Sequence, residues 1–226
     1  MPIRRLSISH LCRRLRVVHG SVEPGEKLPP LDELIATILS QNTSNANSDA
    51  AFARLKQRFP EWESVRTAKT GSIAAAIRVA GLSRLKAPRI KAILEQLKRE
   101  RGRLSLDFLC AMPDEEALAW LRRLKGVGPK TAACVLLFAC DKPILPVNTQ
   151  VHRVARRLAL IGPRISAERA HKLLAAIVPR KLVLDFHVLL IRHGRRICLS
   201  RKPRCTECVL FDACPDGQRR LGILHK

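Results

Sequence analysis

The sequence predicts an all-α protein. Its valines, isoleucines and leucines recur at the helical period and do not alternate. No Asn-Gly dipeptide offers a hairpin turn between extended segments. With 226 residues, 46% of them hydrophobic, the chain can bury one large core or two small ones. No repeat is evident beyond the helices themselves.

Each helix follows from local signals. Ser7 to His19 reads as the first, with Ile8, Leu11, Leu15 and Val18 on one face and Gly20 as its stop. A connector with proline and glycine leads to Leu31–Gln41, apolar on more than one side and so buried. After the polar loop Gln41-Asn42-Thr43-Ser44-Asn45, a helix runs from about Ser48 to Arg58 and is stopped by Pro60. Ser72–Val79 is a short helix, Gly81-Leu82-Ser83 a turn, and Leu85–Arg101 a long basic helix. Pro113-Asp114-Glu115-Glu116 is a strong helix start, with proline at the first position and acids in the first turn. Thr131–Cys140 is almost wholly apolar and therefore central. Thr149–Leu160, Ser166–Val178 and Leu182–Ile197 complete the set, the last broken near Gly194.

The chain is organised around Leu121–Ala133, LRRLKGVGPKTAA. Two glycines one residue apart do not suit a helix interior, and Pro129 suits the first position of a new helix. The stretch is therefore helix, tight hairpin, helix. Such a hairpin, Lys125-Gly126-Val127-Gly128, aims bare backbone N–H groups at a helix N-terminus, where an anion binds. With Lys125 and Lys130 beside it, phosphate is the natural guest; an ordinary αα-turn with a basic rim is the alternative.

Charge agrees. Lys+Arg 42 against Asp+Glu 19 gives +23, spread along the whole chain, which implies a polyanionic partner, nucleic acid ahead of an anionic membrane. At 4% aromatic content without tyrosine, base stacking on single strands is disfavoured and duplex backbone contacts are preferred. No apolar run reaches the ~20 residues that span a bilayer. Arg13, Arg14 and Arg16 interrupt the start, so no signal-peptide apolar region is read there. The expectation is a cytoplasmic protein without membrane association, nucleoid-associated if bacterial.

Cys12, Cys110, Cys134 and Cys140 lie scattered among apolar residues and read as buried thiols. Cys198, Cys205, Cys208 and Cys214 lie close together, spaced C-x6-C-x2-C-x5-C. In a reducing compartment this is a metal site before it is a pair of disulfides. Zinc ribbons use two separated C-x2-C knuckles; a single knuckle with longer arms suits a 4Fe–4S cluster, with zinc as the alternative. Arg201, Lys202 and Arg204 on the same loop form a second phosphate-binding surface, or else offset the anionic ligands.

Taken together, these motifs resemble the endonuclease III family of DNA base-excision glycosylases. The hairpin Leu124–Ala132 looks like the family's helix-hairpin-helix, Val147–Arg153 (VNTQVHR) matches the element that follows it, and His193-Gly194 with the cysteine loop matches its cluster end. The resemblance spans about Leu31 to Cys214. It implies two helical domains with a DNA-binding cleft between them. One is a six-helix barrel over residues 30–141; the other joins 1–29 to 142–226 and carries the cluster. It also implies a monomer acting on double-stranded DNA that contains a damaged base or an abasic site.

Family chemistry assigns Lys130 as nucleophile of a glycosylase with AP-lyase activity on oxidised pyrimidines. Gln41 resembles the residue that fills the gap left by the flipped nucleotide, and Leu82 the intercalating wedge. One departure is specific: where the family places a catalytic aspartate this chain has Asn148, and Gln150 stands where histidine is common. Asparagine caps a helix as well as aspartate but carries no charge. Losing one transition-state electrostatic partner costs on the order of 10²–10³ in rate. The resemblance therefore also admits a damaged-duplex binding protein that has lost turnover.

Overall fold

The structure, a computed structural model, describes residues 6–23 and 25–224 and is all-helical over them. It divides into two compact units, Glu26–Lys142 and Met1–Gly25 together with Pro143–Lys226.

In the unit of residues 26–142, α2 (Pro30–Leu39) and α9 (Pro129–Cys140) pack against each other. Both are nearly apolar on all sides: Leu34, Ile35, Ile38 and Leu39 meet a helix whose Ala132, Ala133, Val135 and Leu136 are fully buried. Around them stand α3 (Asn45–Arg58), α4 (Trp62–Thr67), α5 (Thr70–Ala76), α6 (Ser83–Arg101), α7 (Phe108–Ala111) and α8 (Asp114–Arg122). The third helix starts before Ser48 because the Ser44 side chain accepts from the Asn47 N–H at 3.2 Å, a capping geometry that shortens the polar loop. The α4 and α7 segments have no counterpart in the sequence reading. At 6 and 4 residues they are too short to display a period. Trp62 anchors α4 through its indole N–H, donating to Asp32 Oδ1 at 2.7 Å.

In the other unit, α1 (Ile8–His19) packs on α12 (Val183–Arg196), and α10 (Thr149–Arg157) contacts α11 (Ala167–Ile177), α12 and α13 (Pro215–Arg220). The buried face of α1 is Ile8, Leu11, Cys12, Leu15 and His19; Val18, expected there, is exposed. The stripe turns toward His19 because 3.6 residues per turn places position 19 above Cys12 and Leu15. Gly194 does not break α12. It is buried, and a Cβ there would stand 3.0 Å from the Gln150 Cβ, so the glycine serves close approach of α10.

A second correction concerns cysteines. Cys12 and Cys134 are buried thiols, as expected, but Cys110 and Cys140 form a disulfide with a Cα–Cα separation of 4.8 Å. The unrecognised α7 brings an exposed Cys110 to the end of α9, where Cys140 is half-buried.

Candidate functional site

In the hairpin, Val127 is the hydrophobic pin, 5% exposed, and its N–H donates to the Leu124 carbonyl at 3.0 Å. Gly126 carries the turn at φ +82°, and a Cβ there would lie 2.4 Å from Arg89 Nε. Gly128 is extended and caps α9, with Pro129 at the first helical position. Among the described residues neither glycine N–H finds an intramolecular acceptor, so both are available to an anion at the start of α9. Lys125 is exposed beside them.

Lys130 sits on the first turn of α9 and is half-buried. Its charge acts on the Cys134 thiol one turn on and on Glu33 of α2. Burial pushes Cys134 up to about 11, and burial also raises Glu33 above the ordinary carboxylate range. The Thr37 hydroxyl donates to Glu33 Oε1 at 2.9 Å; that bond and the Lys130 charge pull Glu33 partly back.

Gln41, just past α2, is fixed at both ends of its amide. Arg89 Nη1 donates to its Oε1 at 2.9 Å, and its Nε2 donates to Thr131 Oγ1 at 3.3 Å. The following residue, Asn42, is exposed at φ +55°. Leu82 is 51% exposed at φ +50°, immediately before α6. Lys86 links the backbones of these two turns. Only 2% exposed, it donates to the carbonyls of Leu39 at 2.7 Å and Ala80 at 2.9 Å.

Asn148 belongs to the other unit and caps α10: its Oδ1 accepts from the Val151 N–H at 2.9 Å. The charge-neutral cap expected from the sequence is therefore in place. Gln150 lies against Gly194. Asp185 pairs with Arg16 at 2.9 Å, and His187 Nδ1 is 2.8 Å from the Pro146 carbonyl, so both serve packing.

Cys198, Cys205, Cys208 and Cys214 line one cavity with Val154, Leu158 and Phe211. Protein N–H groups aim at three of the sulfurs: Arg157 Nη1 at Cys198 (3.2 Å), Leu210 N at Cys208 (3.4 Å) and Gly217 N at Cys214 (3.4 Å). Burial raises Cys205, Cys208 and Cys214, and the neighbouring thiols add to it. The four thiols line this one cavity together. His193 Nε2 lies 3.5 Å from Cys208 Sγ, and its Nδ1 is 3.1 Å from His19 Nε2. Burial and His19 pull His193 down to about 4. Of the loop cations, Arg204 approaches Glu207 at 3.8 Å, while Arg201 and Lys202 are exposed with no ion pair among the described residues.

Residues 35–180 match the model of the HhH-GPD superfamily of base excision DNA repair proteins. The chain belongs to that superfamily. Its HhH-GPD relatives include endonuclease III of Sulfolobus acidocaldarius, 32% identical over 91% of this chain and 85% of the relative. The Arabidopsis thaliana protein At3g47830 is 40% identical over 85% of this chain; the chain spans 66% of that relative's length. Among solved structures, a non-covalent endonuclease III–DNA complex superimposes with a TM-score of 0.81 at 26% identity, covering 95% of this chain and 97% of the other. A trapped covalent endonuclease III–DNA intermediate gives 0.82 at the same identity and coverage. The HhH-GPD fold agrees with the all-α expectation.

Glu33, Lys86 and Arg89 escaped the sequence reading. Glu33 left one trace, an acid beside Asp32 in the first turn of α2 with Thr37 four residues on. Lys86 and Arg89 left none, since they lie in a helix already rich in cations.

Proposed function

We propose that this protein is a base-excision DNA glycosylase with AP-lyase activity on oxidised pyrimidines. The observation that carries the reading is Lys130, half-buried on the first turn of α9 at the edge of an open hairpin, in a chain of the HhH-GPD superfamily. The hairpin N–H groups and Lys125 grip a phosphate of the damaged strand, and Arg201, Lys202 and Arg204 add contacts elsewhere on the duplex. Leu82, exposed in a left-handed turn, enters the stack, and the Gln41 turn faces the gap. The neutral Lys130 amine attacks the anomeric carbon of the flipped nucleotide, the base departs, and a Schiff base forms. β-Elimination then breaks the 3′ phosphate bond.

Cys198, Cys205, Cys208 and Cys214 fit a 4Fe–4S cluster, because the four thiols line one cavity and protein N–H groups aim at three of the sulfurs. When bound, the cluster supplies a structural pin, and absorbance near 400 nm in the purified protein tests for it. Arg157 and Arg153 brace the loop by donating to the carbonyls of Leu199 at 2.6 Å and Cys198 at 3.1 Å.

Borohydride trapping on an abasic duplex is the direct test: a covalent adduct that disappears in Lys130→Ala supports the reading, and no adduct at high enzyme overturns it. Asn148 favours a second reading, a damaged-duplex binder without turnover. It predicts tight, salt-sensitive binding with neither adduct nor nicking, and recovery of both in Asn148→Asp.

A further inference from the structure

A side chain that fills a gap in a duplex must be ordered there, and a free glutamine, with three side-chain torsions, loses affinity to that ordering. Gln41 is ordered beforehand. It follows α2 with its N–H on the Ile38 carbonyl at 3.2 Å, and α6 holds it from two successive turns. Lys86 donates to the Leu39 carbonyl at 2.7 Å, which fixes the backbone two residues earlier. Arg89, three residues on, donates from Nη1 to Gln41 Oε1 at 2.9 Å. Arginine offers only donors, so this bond settles which end of the amide is oxygen and leaves Nε2 to donate to Thr131 Oγ1 at 3.3 Å. Thr131 is buried, and Arg89 is half-buried with no ion pair among the described residues.

The same guanidinium reaches the hairpin. A Cβ on Gly126 would stand 2.4 Å from Arg89 Nε, 2.7 Å from Cδ and 2.9 Å from Cζ, so Arg89 lies directly against the Gly126 backbone, in space that any other residue would fill. One side chain thus touches both the hairpin whose N–H groups are open to phosphate and the amide of Gln41. We propose that Arg89 is the positioning residue for Gln41: it holds the amide beside the hairpin, so that a damaged duplex gripped there meets a gap-filling group already ordered. The inference rests on Gln41 facing the gap. Of the two N–H groups and two principal lone pairs of the amide, the bonds to Arg89 and Thr131 use one of each, which leaves one donor and one acceptor for the orphaned base.

The consequence falls on discrimination. An intact duplex has no gap for Gln41 to enter, so its affinity depends on phosphate contacts and owes nothing to how the amide is held. A duplex with a gap gains from the amide, and gains more when the amide need not be ordered first. Arg89 therefore acts on the ratio of the two affinities, and only while Gln41 is present. A cation that served the phosphates alone would alter both affinities together. A brace for packing alone would alter the melting temperature and leave the ratio.

The test is fluorescence anisotropy on an intact duplex and on one carrying a non-cleavable tetrahydrofuran abasic analogue, with wild type, Arg89→Met, Gln41→Ala and the double variant, alongside thermal melting. Arg89→Met keeps most of the stem against Gly126 and removes the donor. The expected result is a preference for the analogue about 5–10-fold smaller in Arg89→Met, and a double variant whose preference matches Gln41→Ala within about twofold. Should Arg89→Met melt too low to assay, Arg89→Gln, neutral and too short to span the same distance, is read by the same criteria. A preference within about twofold of wild type in the Arg89 variant overturns the proposal. So does an equal further loss in the Gln41→Ala background, which marks an effect that bypasses the amide. If Gln41→Ala keeps the wild-type preference, the gap reading fails and takes Arg89 with it; if Gln41→Ala loses the preference and Arg89→Met does not, only the Arg89 assignment fails. Neither outcome depends on turnover, which borohydride trapping of wild type reports separately.

Discussion

Single residues here act mostly through what they hold. Asn148 keeps the cap and gives up the charge, so its two roles separate by substitution. Asn148→Ala loses the bond to Val151 and costs about 1 kcal/mol of stability, whereas Asn148→Asp costs nothing measurable; chemical denaturation of the three proteins checks this. Lys86 is the more exacting case. Desolvation lowers its pKa, with Arg89 adding to the effect, yet it stays paired with two carbonyls. Lys86→Met keeps the stem and strands both acceptors, each of which costs about 1–3 kcal/mol when left unsatisfied. The expected result is a stability loss of about 2–4 kcal/mol, with impaired discrimination between abasic and intact duplex because the Gln41 and Leu82 turns lose their common anchor. Melting curves and paired binding titrations read the two effects separately.

At the level of elements, close approach explains features that helix propensity alone does not. Gly194 lies in the last turns of α12, where an alanine would favour helix intrinsically by about 1 kcal/mol. The added Cβ would also meet Gln150 Cβ at 3.0 Å and Arg153 Nη2 at 3.2 Å. Arg153 carries both the Gly194 and Cys198 carbonyls, at 2.8 and 3.1 Å, so displacing it loosens the start of the cysteine loop. Gly194→Ala is therefore expected to lose about 1–3 kcal/mol and to show reduced absorbance near 400 nm per mole of protein. Equal absorbance and an unchanged melt would refute the coupling of α10 to the loop. The Cys110–Cys140 link joins α7 to the end of α9, and Cys110→Ser should lower the melting temperature in oxidising buffer while matching wild type in reducing buffer.

For the whole molecule the governing quantity is charge. At +23 the protein approaches any polyanion, and specificity comes from the few cations placed where phosphates pass. No helix among the described residues is long and apolar enough to cross a membrane. Affinity for duplex DNA should fall linearly with the logarithm of salt concentration. Arg201→Ala and Lys202→Ala should each reduce the magnitude of that slope by about 1 and weaken intact and damaged duplex alike. Arg204→Ala should do less, since Glu207 already lies 3.8 Å from its guanidinium. A salt series by fluorescence anisotropy distinguishes the three; an unchanged slope in both Arg201→Ala and Lys202→Ala would remove the loop from the interface.

The all-α class, the long helices and the hairpin were legible because each depends on local periods and on residues such as Gly126 and Pro129, whose conformational preferences act within a few positions. The spacing of Cys198 to Cys214 was legible for the same reason. The sequence by itself thus determined which helices form, where the hairpin turns and which thiols lie on one loop. Only the tertiary structure decided that Lys86 ties Leu39 to Ala80, that Gln41 is committed to Arg89 and Thr131, and that Cys110 reaches Cys140. Each of these joins groups far apart in the chain across a packed helix seam, and such contacts leave no period or spacing in the sequence. Burial then gives them their weight, since a charge or a carbonyl removed from water must find its partner inside the fold.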